Sequence, residues 1–461
     1  MTGHLRRRHA SAGFRYGAAL LAGLAVSIVT GAAASGQAAA TALTHPETQY
    51  EPMAWADLPG WAQDDHPAAL ATFLASCEAV LRGRGSDRDR RPVFAALRGA
   101  CADAVKAGPQ DAAGARAFFE SHFTPLRISR LGEGAGFLTG YYEPIVDGSR
   151  FPSPEFPVPV YRRPRDLVPA VKPAPGQSAS NKGAVSRRTA SGALVAYHDR
   201  TAIEQGALDG QHLEICYVRD PADVFFIQIQ GSGRIRLEDG TLLRINYDAH
   251  NGWPYTPVGR VLIDRGIVPR EQMSMDAIRK WMASAPDDDV AEVRRANQSY
   301  VFFRVVGLSG DREAVGAQGI PLTAWRSIAV DRHLHVYGTP FYIFGELPIA
   351  GEDAATPFNR LMIGQDTGSA IIGPARADIY FGAGDEAGRI AGRLRHPATF
   401  AMLAPKGLDP AATAHGLPLP SPRPPRAPAM TAELSAGQAV TDPPLPRARP
   451  DRAVAADGHA R

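Results

Sequence analysis

The chain has 461 residues, of which 44% are hydrophobic and 21% charged, with a formal net charge of +3 and three cysteines. That length allows two or three domains with cores of their own once the two ends are set aside. So modest a positive charge leaves no electrostatic footprint for nucleic acid.

Residues 1–40 open with HLRRRH, continue as the apolar run YGAALLAGLAVSIVTGAAA and end in small residues, the pattern of a secretory signal cleaved after an alanine between 34 and 40. The run is broken by Gly and Thr and falls short of the ~20 apolar residues that a membrane span prefers. Export to a periplasm is the expectation. The cysteines are Cys77, Cys101 and Cys216, so none follows the signal closely enough to accept a lipid, and a soluble or loosely associated periplasmic protein is expected. Cys77 and Cys101 lie in Ala-rich helical sequence. In an oxidising compartment they either close a disulfide or sit as small buried hydrophobes, and Cys216 in LEICYV reads as a buried thiol.

Residues 55–122 read as helices: LATFLASCEAVLRG and ALRGACADAVKAG carry apolar residues at spacings of three and four. After Gly140 the pattern changes to short β-rich runs, among them PVPVYRRP, GALVAYH, HLEICYV, DVFFIQIQGSGRIRLEDG and LLRINY. Within them QGSGR reads as a hairpin and LEDG as a hairpin turn. A helical stretch runs from VGRVLIDRG to DAIRKWMA, and strands are expected again from Tyr300. From 407 to 461 the chain is rich in Pro, Ala and Arg and poor in large apolar residues, so it cannot offset the entropy of ordering and reads as a disordered tail. No fixed period recurs, which excludes a solenoid or propeller.

The stretch QDTGSAIIGPARADIYFGAG (365–384) sets Asp366 and Asp378 twelve positions apart around Gly368 and the Gly373–Pro374 break, predicting strand, loop, strand. In the second strand the alternation puts Ala377, Ile379 and Phe381 on a core face, and Arg376, Asp378 and Tyr380 on a face that reads as a groove. A carboxylate beside an aromatic on a rigid strand suits glycosidic chemistry, where an acid must protonate an oxygen at a fixed place. The plainer reading is that Asp366 caps a turn and Asp378 is a solvated strand residue.

With GFLTGYYEP (136–144), FFIQIQGSGRI (225–235), NGWPYTPVGRVLIDRG (251–266), NQSYVFFR (297–304), and GAQGIPLTAWRSIAVDR (316–332) followed by QDTGSAIIGPARADIYFG (365–382), the chain resembles the membrane-bound lytic murein transglycosylase A family, over roughly 118–406. The resemblance implies a mainly β protein with helices: a double-psi β-barrel domain built from 46–144 and 297–406, interrupted at 145–296 by a second, inserted β-barrel-like domain. It implies a peptidoglycan lytic exotransglycosylase of cell-wall turnover, acting on a groove-bound glycan strand at the MurNAc-β-1,4-GlcNAc bond. Asp378 is then the catalytic aspartate, with Asp366 and Asp331, the other aspartates of the C-terminal three-aspartate module, in supporting places. Tyr141, Tyr142, Gln228, Gln230, Tyr255, Gln318 and Tyr380 become candidates to stack on sugar faces or bind hydroxyls and acetamides. The expected partners are peptidoglycan glycan strands and other cell-wall enzymes, with no cofactor, nucleotide or nucleic acid, and a monomer is expected.

Lytic cleavage needs one acid that protonates the leaving oxygen and then, as carboxylate, deprotonates the C6 hydroxyl of the same sugar, giving a 1,6-anhydromuramoyl end. Such an acid must hold its proton near neutral pH, which calls for desolvation or a neighbouring carboxylate. Arg376, two residues before Asp378, works against this and is expected to point away or to contact substrate. Glu143, held between Gly140 and Pro144, is the alternative acid. Metal chemistry has no motif behind it: there is no HExxH, and His333 and His335 read as an exposed strand pair. No phosphate loop and no G-x-S-x-G elbow is present. Two other functions compete with the lytic one, a non-catalytic glycan binder and a hydrolase that uses Asp378 and Asp366 together.

Overall fold

The computed structural model describes residues 41–42, 47–83, 91–170, 183–307, 313–351 and 354–409. The expected export signal at 1–40 and the tail from 410 onward lie outside the described residues.

Six strands hydrogen-bond in the order Pro340–Gly351, Ala354–Asp366, Ser327–Val330, Arg376–Ala383, Gly136–Glu143 and Arg395–Pro405, and the last pairs back onto the first. The result is a closed six-stranded barrel, in keeping with the expected architecture. Two of its pairings are parallel, Ser327–Val330 with Ala354–Asp366 and Arg376–Ala383 with Gly136–Glu143. Phe123–Arg130 and Thr48–Pro52 extend the sheet beyond the Arg395–Pro405 strand. The barrel interior is filled by Ile328, Val330, Phe341, Ile343, Met362, Ala377, Ile379, Phe400 and Met402, as inward positions of a small barrel require.

Three helices, His66–Leu81, Pro92–Ala107 and Ala112–His122, share the barrel's hydrophobic cluster through Phe73, Leu97 and Phe119. Asp65 and Asp111 cap the first and third by accepting the N–H groups of Ala68 and Gly114. Cys77 and Cys101 are disulfide-bonded across the first two helices, with Cα atoms 4.8 Å apart, while Cys216 is a free buried thiol.

The insert is a second six-stranded sheet in the order Val301–Val305, Leu242–His250, Ser232–Leu237, Ile145–Ser149, Glu214–Val218 and Val158–Tyr161. A bridge between Arg162 and Phe303 brings its two edges together, so the insert is barrel-like as well. One boundary is corrected: the Val301–Val305 strand, expected from 297 onward to belong to the large barrel, pairs with the insert. Val301 and Phe303 are buried there with Val160 and Ile245, and that burial decides which sheet the strand joins. At the other end Thr41–Ala42 pairs in parallel with Leu408–Asp409, so described structure runs a little past the expected tail start at 407.

Sequence DVFFIQIQ is not a strand. Pro221–Gln230 forms a helix, capped by the Asp220 carboxylate on the Ala222 N–H and ended by Gly231 at φ +84°. Val224 and Ile227 face the insert core, whereas Ala222, Phe225 and Phe226 face a separate helical core with Leu262, Met282 and Val293. A helix buried on two sides loses its amphipathic signature and imitates strand composition. QGSGR is therefore a helix end leading into a strand rather than a hairpin; the LEDG turn does form one, with the Gly240 N–H donating to the Leu237 carbonyl. A second helix, Gly384–Arg393, interrupts the run of strands expected after Tyr300. His333 and His335 lie in a turn rather than on an exposed strand, and His335 is buried with its Nε2 2.8 Å from the Pro374 carbonyl. Among the described residues no helix is long and apolar enough to cross a membrane.

Candidate active site

Between the barrel and the insert lies a cavity of about 890 Å³. Its barrel wall is made where Arg376–Ala383 and Gly136–Glu143 run in parallel, a register that sets Asp378 beside Thr139. The Thr139 hydroxyl donates to Asp378 Oδ1 at 2.6 Å and accepts from Arg376 Nη2 at 2.8 Å. Arg376 also donates to the Ala377 carbonyl and lies over the Phe137 ring at 5.5 Å. Among the described residues Arg376 forms no ion pair with Asp378, and its charge acts on that carboxyl through space while Thr139 bridges the two side chains.

Burial pushes the Asp378 carboxyl above its ordinary range; Arg376 and the Thr139 hydroxyl pull it back, and the charge of Asp366 adds to the rise. The raised direction wins because the strand backbone on both sides is consumed by sheet pairing with Thr139 and Ala329, so no N–H is left over to stabilise the carboxylate.

Asp366 also lines the cavity but is engaged differently. Its Oδ1 accepts the N–H groups of Ala317 and Thr367, both at 2.8 Å, and its Oδ2 accepts the Tyr141 hydroxyl at 2.9 Å. These contacts fix the carboxylate to its loop. Asp331 is buried away from the cavity lining, accepting N–H groups of His333 at 3.0 Å and Gly373 at 2.9 Å.

The binding candidates separate into two groups. Tyr141, Tyr142, Gln228, Gln230 and Tyr255 line the cavity. Within that group Tyr142 accepts a hydrogen bond from Arg279 at 2.8 Å, and its N–H donates to Gln230 Oε1 at 3.0 Å. Gln228 is held by Arg200, which donates to its Oε1 at 2.7 Å, and its Nε2 donates to the Val301 carbonyl at 3.2 Å. Gln318 and Tyr380 are outside the lining, against expectation. Gln318 accepts from Ser76 at 2.9 Å in the contact between barrel and first helix. Tyr380 is fully buried behind Tyr141, donating to Glu313 at 2.8 Å, because Ala314, Leu322 and Ile371 cover the strand face that sequence alternation left open. Glu143 is likewise fully buried outside the cavity lining, in ion pairs with Arg234 at 2.5 Å and Arg244 at 2.9 Å. It ties the barrel strand to the insert.

Two important residues had no individual signal in the sequence. Thr139 lies inside GFLTGYYEP, yet only the parallel register reveals its contact with Asp378. Arg200 is a fully buried cation in the cavity wall, satisfied by the Asn297 and Ser299 carbonyls and Gln228. The two carbonyls lie 97 and 99 residues downstream, beyond any local pattern, although Glu204, one turn on, pairs with it at 3.5 Å. Among the described residues no cluster of three or more His, Cys, Asp or Glu is arranged to hold a metal ion.

Residues 137–304 match the family described as the MltA specific insert domain, and residues 326–404 match the 3D domain. Membrane-bound lytic murein transglycosylase A of Vibrio cholerae is 33% identical over 279 residues, which is 59% of this chain and 67% of that protein. The crystal structure of a membrane-bound lytic murein transglycosylase from Agrobacterium tumefaciens aligns with a TM-score of 0.70 at 36% identity, covering 80% of this chain and 99% of that one. The structure of Escherichia coli MltA with bound chitohexaose aligns with a TM-score of 0.53 at 27% identity, covering 79% and 96%. The two domain matches fall on the insert and the barrel that enclose the Asp378 cavity, and the chain belongs to the membrane-bound lytic murein transglycosylase A family, a family of peptidoglycan-cleaving enzymes.

Proposed function

We propose that this chain cleaves the MurNAc-β-1,4-GlcNAc bond of peptidoglycan in cell-wall turnover, with Asp378 as its sole acid and base, and leaves 1,6-anhydromuramoyl ends. The observation that carries the reading is the Asp378 carboxyl: it lines the cavity, is oriented by one hydroxyl, and has its proton affinity raised by burial. A protonated Asp378 protonates the glycosidic oxygen as the bond breaks. The resulting carboxylate then takes the proton of the C6 hydroxyl, which closes on C1 in place of water, so the acid is regenerated with no second carboxylate.

Two features favour this over a hydrolase with paired carboxylates. Both oxygens of Asp366 are already engaged, Oδ1 by two backbone N–H groups and Oδ2 by a phenol, which fixes the carboxylate to its loop. A pure binder, in turn, has no use for a desolvated acid whose ionisation is penalised. The glycan class is supported by the relative whose structure holds chitohexaose, a β-1,4-linked sugar chain. Export to the periplasm is supported by the signal-like N-terminus and by the Cys77–Cys101 disulfide, which needs an oxidising compartment.

Digestion of purified murein followed by mass spectrometry tests the mechanism. Fragments lighter by one water than hydrolysis products are expected. Reducing ends would transfer the role to a two-carboxylate hydrolase, and binding without cleavage would leave only the binder.

A further inference from the structure

The cavity carries a charge pattern that neutral sugar rings do not require. Seven arginines line it against three aspartates, Asp248, Asp366 and Asp378. Some of these cations serve the wall itself: Arg200 is buried in it, Arg376 holds Thr139, and Arg304 pairs with Asp248 at 3.4 Å. Three others gather around Met273. Arg270 opens the short turn that ends at Met273, and Arg395 Nη1 donates to the Met273 carbonyl at 3.0 Å. Arg260 follows Gly259, where a Cβ would lie 3.0 Å from Met273 Sδ. Among the described residues the one carboxylate paired with these three is Asp264, on Arg260 at 3.5 Å, with side chains 79% and 62% exposed. Such an exposed pair is weak. Asp276, on the neighbouring helix, lies against Gly392 outside the cavity lining.

Met273, Met275 and Ile278 give the same corner an apolar floor. Guanidinium groups around an aliphatic surface suit a ligand with small apolar groups and free carboxylates, since arginine binds carboxylate in fork geometry and methionine adapts to irregular shapes. Glycan stripped of its peptides offers only the lactyl carboxylate held close against each muramoyl ring, without aliphatic side chains and without carboxylates at a distance from the strand. The short peptide attached to the lactyl group of each muramoyl residue supplies both, combining small aliphatic side chains with free carboxylates. We infer that the Met273 corner is a subsite for the acidic stem peptide of the strand being cut, so that this enzyme prefers peptide-bearing over peptide-free glycan. The inference rests on the murein reading above and extends it to a substrate class.

The test compares kcat/KM on glycan strands that keep their peptides with the same strands after an amidase has removed them, at low and high salt, for wild type and the double variant R260Q/R270Q. Both side chains are exposed, so the fold is not at stake. Wild type should favour peptide-bearing strands by roughly five- to tenfold at low salt, the worth of one or two exposed ion pairs. The preference should shrink as salt rises, and in the variant the ratio should collapse toward one. A wild-type ratio near one, or a ratio unchanged in the variant, overturns the subsite. Titrating Asp378→Asn with both kinds of strand reads the preference without turnover. Equal affinities in that titration sink the peptide subsite, whereas absence of anhydro ends from wild type sinks the lytic mechanism alone.

Discussion

The strand that carries Asp378 and the corner that follows Asp366 belong to one module, yet they treat a carboxylate in opposite ways. In the corner, Asp366 accepts two backbone N–H groups and a tyrosine hydroxyl, and nearby Asp331 accepts two further N–H groups, one of them from Gly373. An irregular corner has backbone donors to spare. On the strand, sheet pairing with Thr139 and Ala329 uses them up, and Asp378 receives one side-chain hydroxyl in a desolvated place. Carboxylates in the corner build the loop; the carboxylate on the strand is kept reactive by having little to hold its charge.

The largest effect should come from Asp378→Asn, which keeps volume and an acceptor for Thr139 but removes the exchangeable proton. Murein cleavage should fall by roughly three orders of magnitude or more, as for an enzyme deprived of its general acid and base. Initial rates of muropeptide release measure this. Activity within tenfold of wild type would move the chemistry to Asp366 and erase the contrast between strand and corner.

The converse change is Asp331→Ala, which strips two backbone N–H groups of their acceptor without touching the cavity lining. Stability should drop by about 1–3 kcal/mol, the loss of two part-buried hydrogen bonds at about 0.5–1.5 kcal/mol each, while turnover per folded molecule stays within tenfold of wild type. Urea unfolding and single-turnover rates separate the two readouts. A collapse in turnover at unchanged stability would place Asp331 in the chemistry.

Thr139→Val sharpens the comparison from the strand side. The hydroxyl lowers the proton affinity of Asp378, so its loss should raise it further. Because the general acid must be protonated, the alkaline limb of the pH–kcat/KM profile should move to higher pH, with a rate loss at the optimum of about tenfold or less, short of the range typical for losing the acid itself. A limb that stays in place would mean that Thr139 does not act on the acid.

Much of this contrast was legible in the sequence. Asp366 and Asp378 fall on a predicted strand, loop, strand because Gly368 and Gly373–Pro374 break an otherwise β-branched run, and Ala377, Ile379 and Phe381 alternate as a core face should. The loop-fixing habit of Asp366 follows from the turn-forming TGS after it. What was not legible depends on distant segments. Tyr380 was expected in the groove, but residues from 314 to 371 cover it, and Gln318 was drawn off by Ser76, 242 positions earlier. The helix Pro221–Gln230 was masked because apolar contact on two sides erases helical periodicity, although Asp220, Pro221 and Gly231 carried its start and stop signals.

The smallest expected effect concerns stability and pH, and it tests the same asymmetry without any substrate. Asp378 has its folded-state pKa raised by burial, above the value of ~3.9 for an unperturbed aspartate. Below that unfolded value both states hold the proton, and the stability contributed by the neutral carboxyl is fully present. As pH rises from the unfolded toward the folded pKa, the unfolded chain loses its proton first, and that contribution is lost; above the folded pKa the whole penalty of burying the charge remains. Asn at 378 does not titrate and escapes this loss. The Asp378→Asn protein should therefore gain melting temperature relative to wild type as pH is raised from about 3 to 7, a window set by ordinary carboxylate titration, although it is inactive throughout. Asp366→Asn should instead lose melting temperature across the whole window, because an amide has one acceptor oxygen where the carboxylate uses two, for Ala317, Thr367 and Tyr141. If the two variants respond to pH alike, the strand and the corner do not differ in how they hold charge.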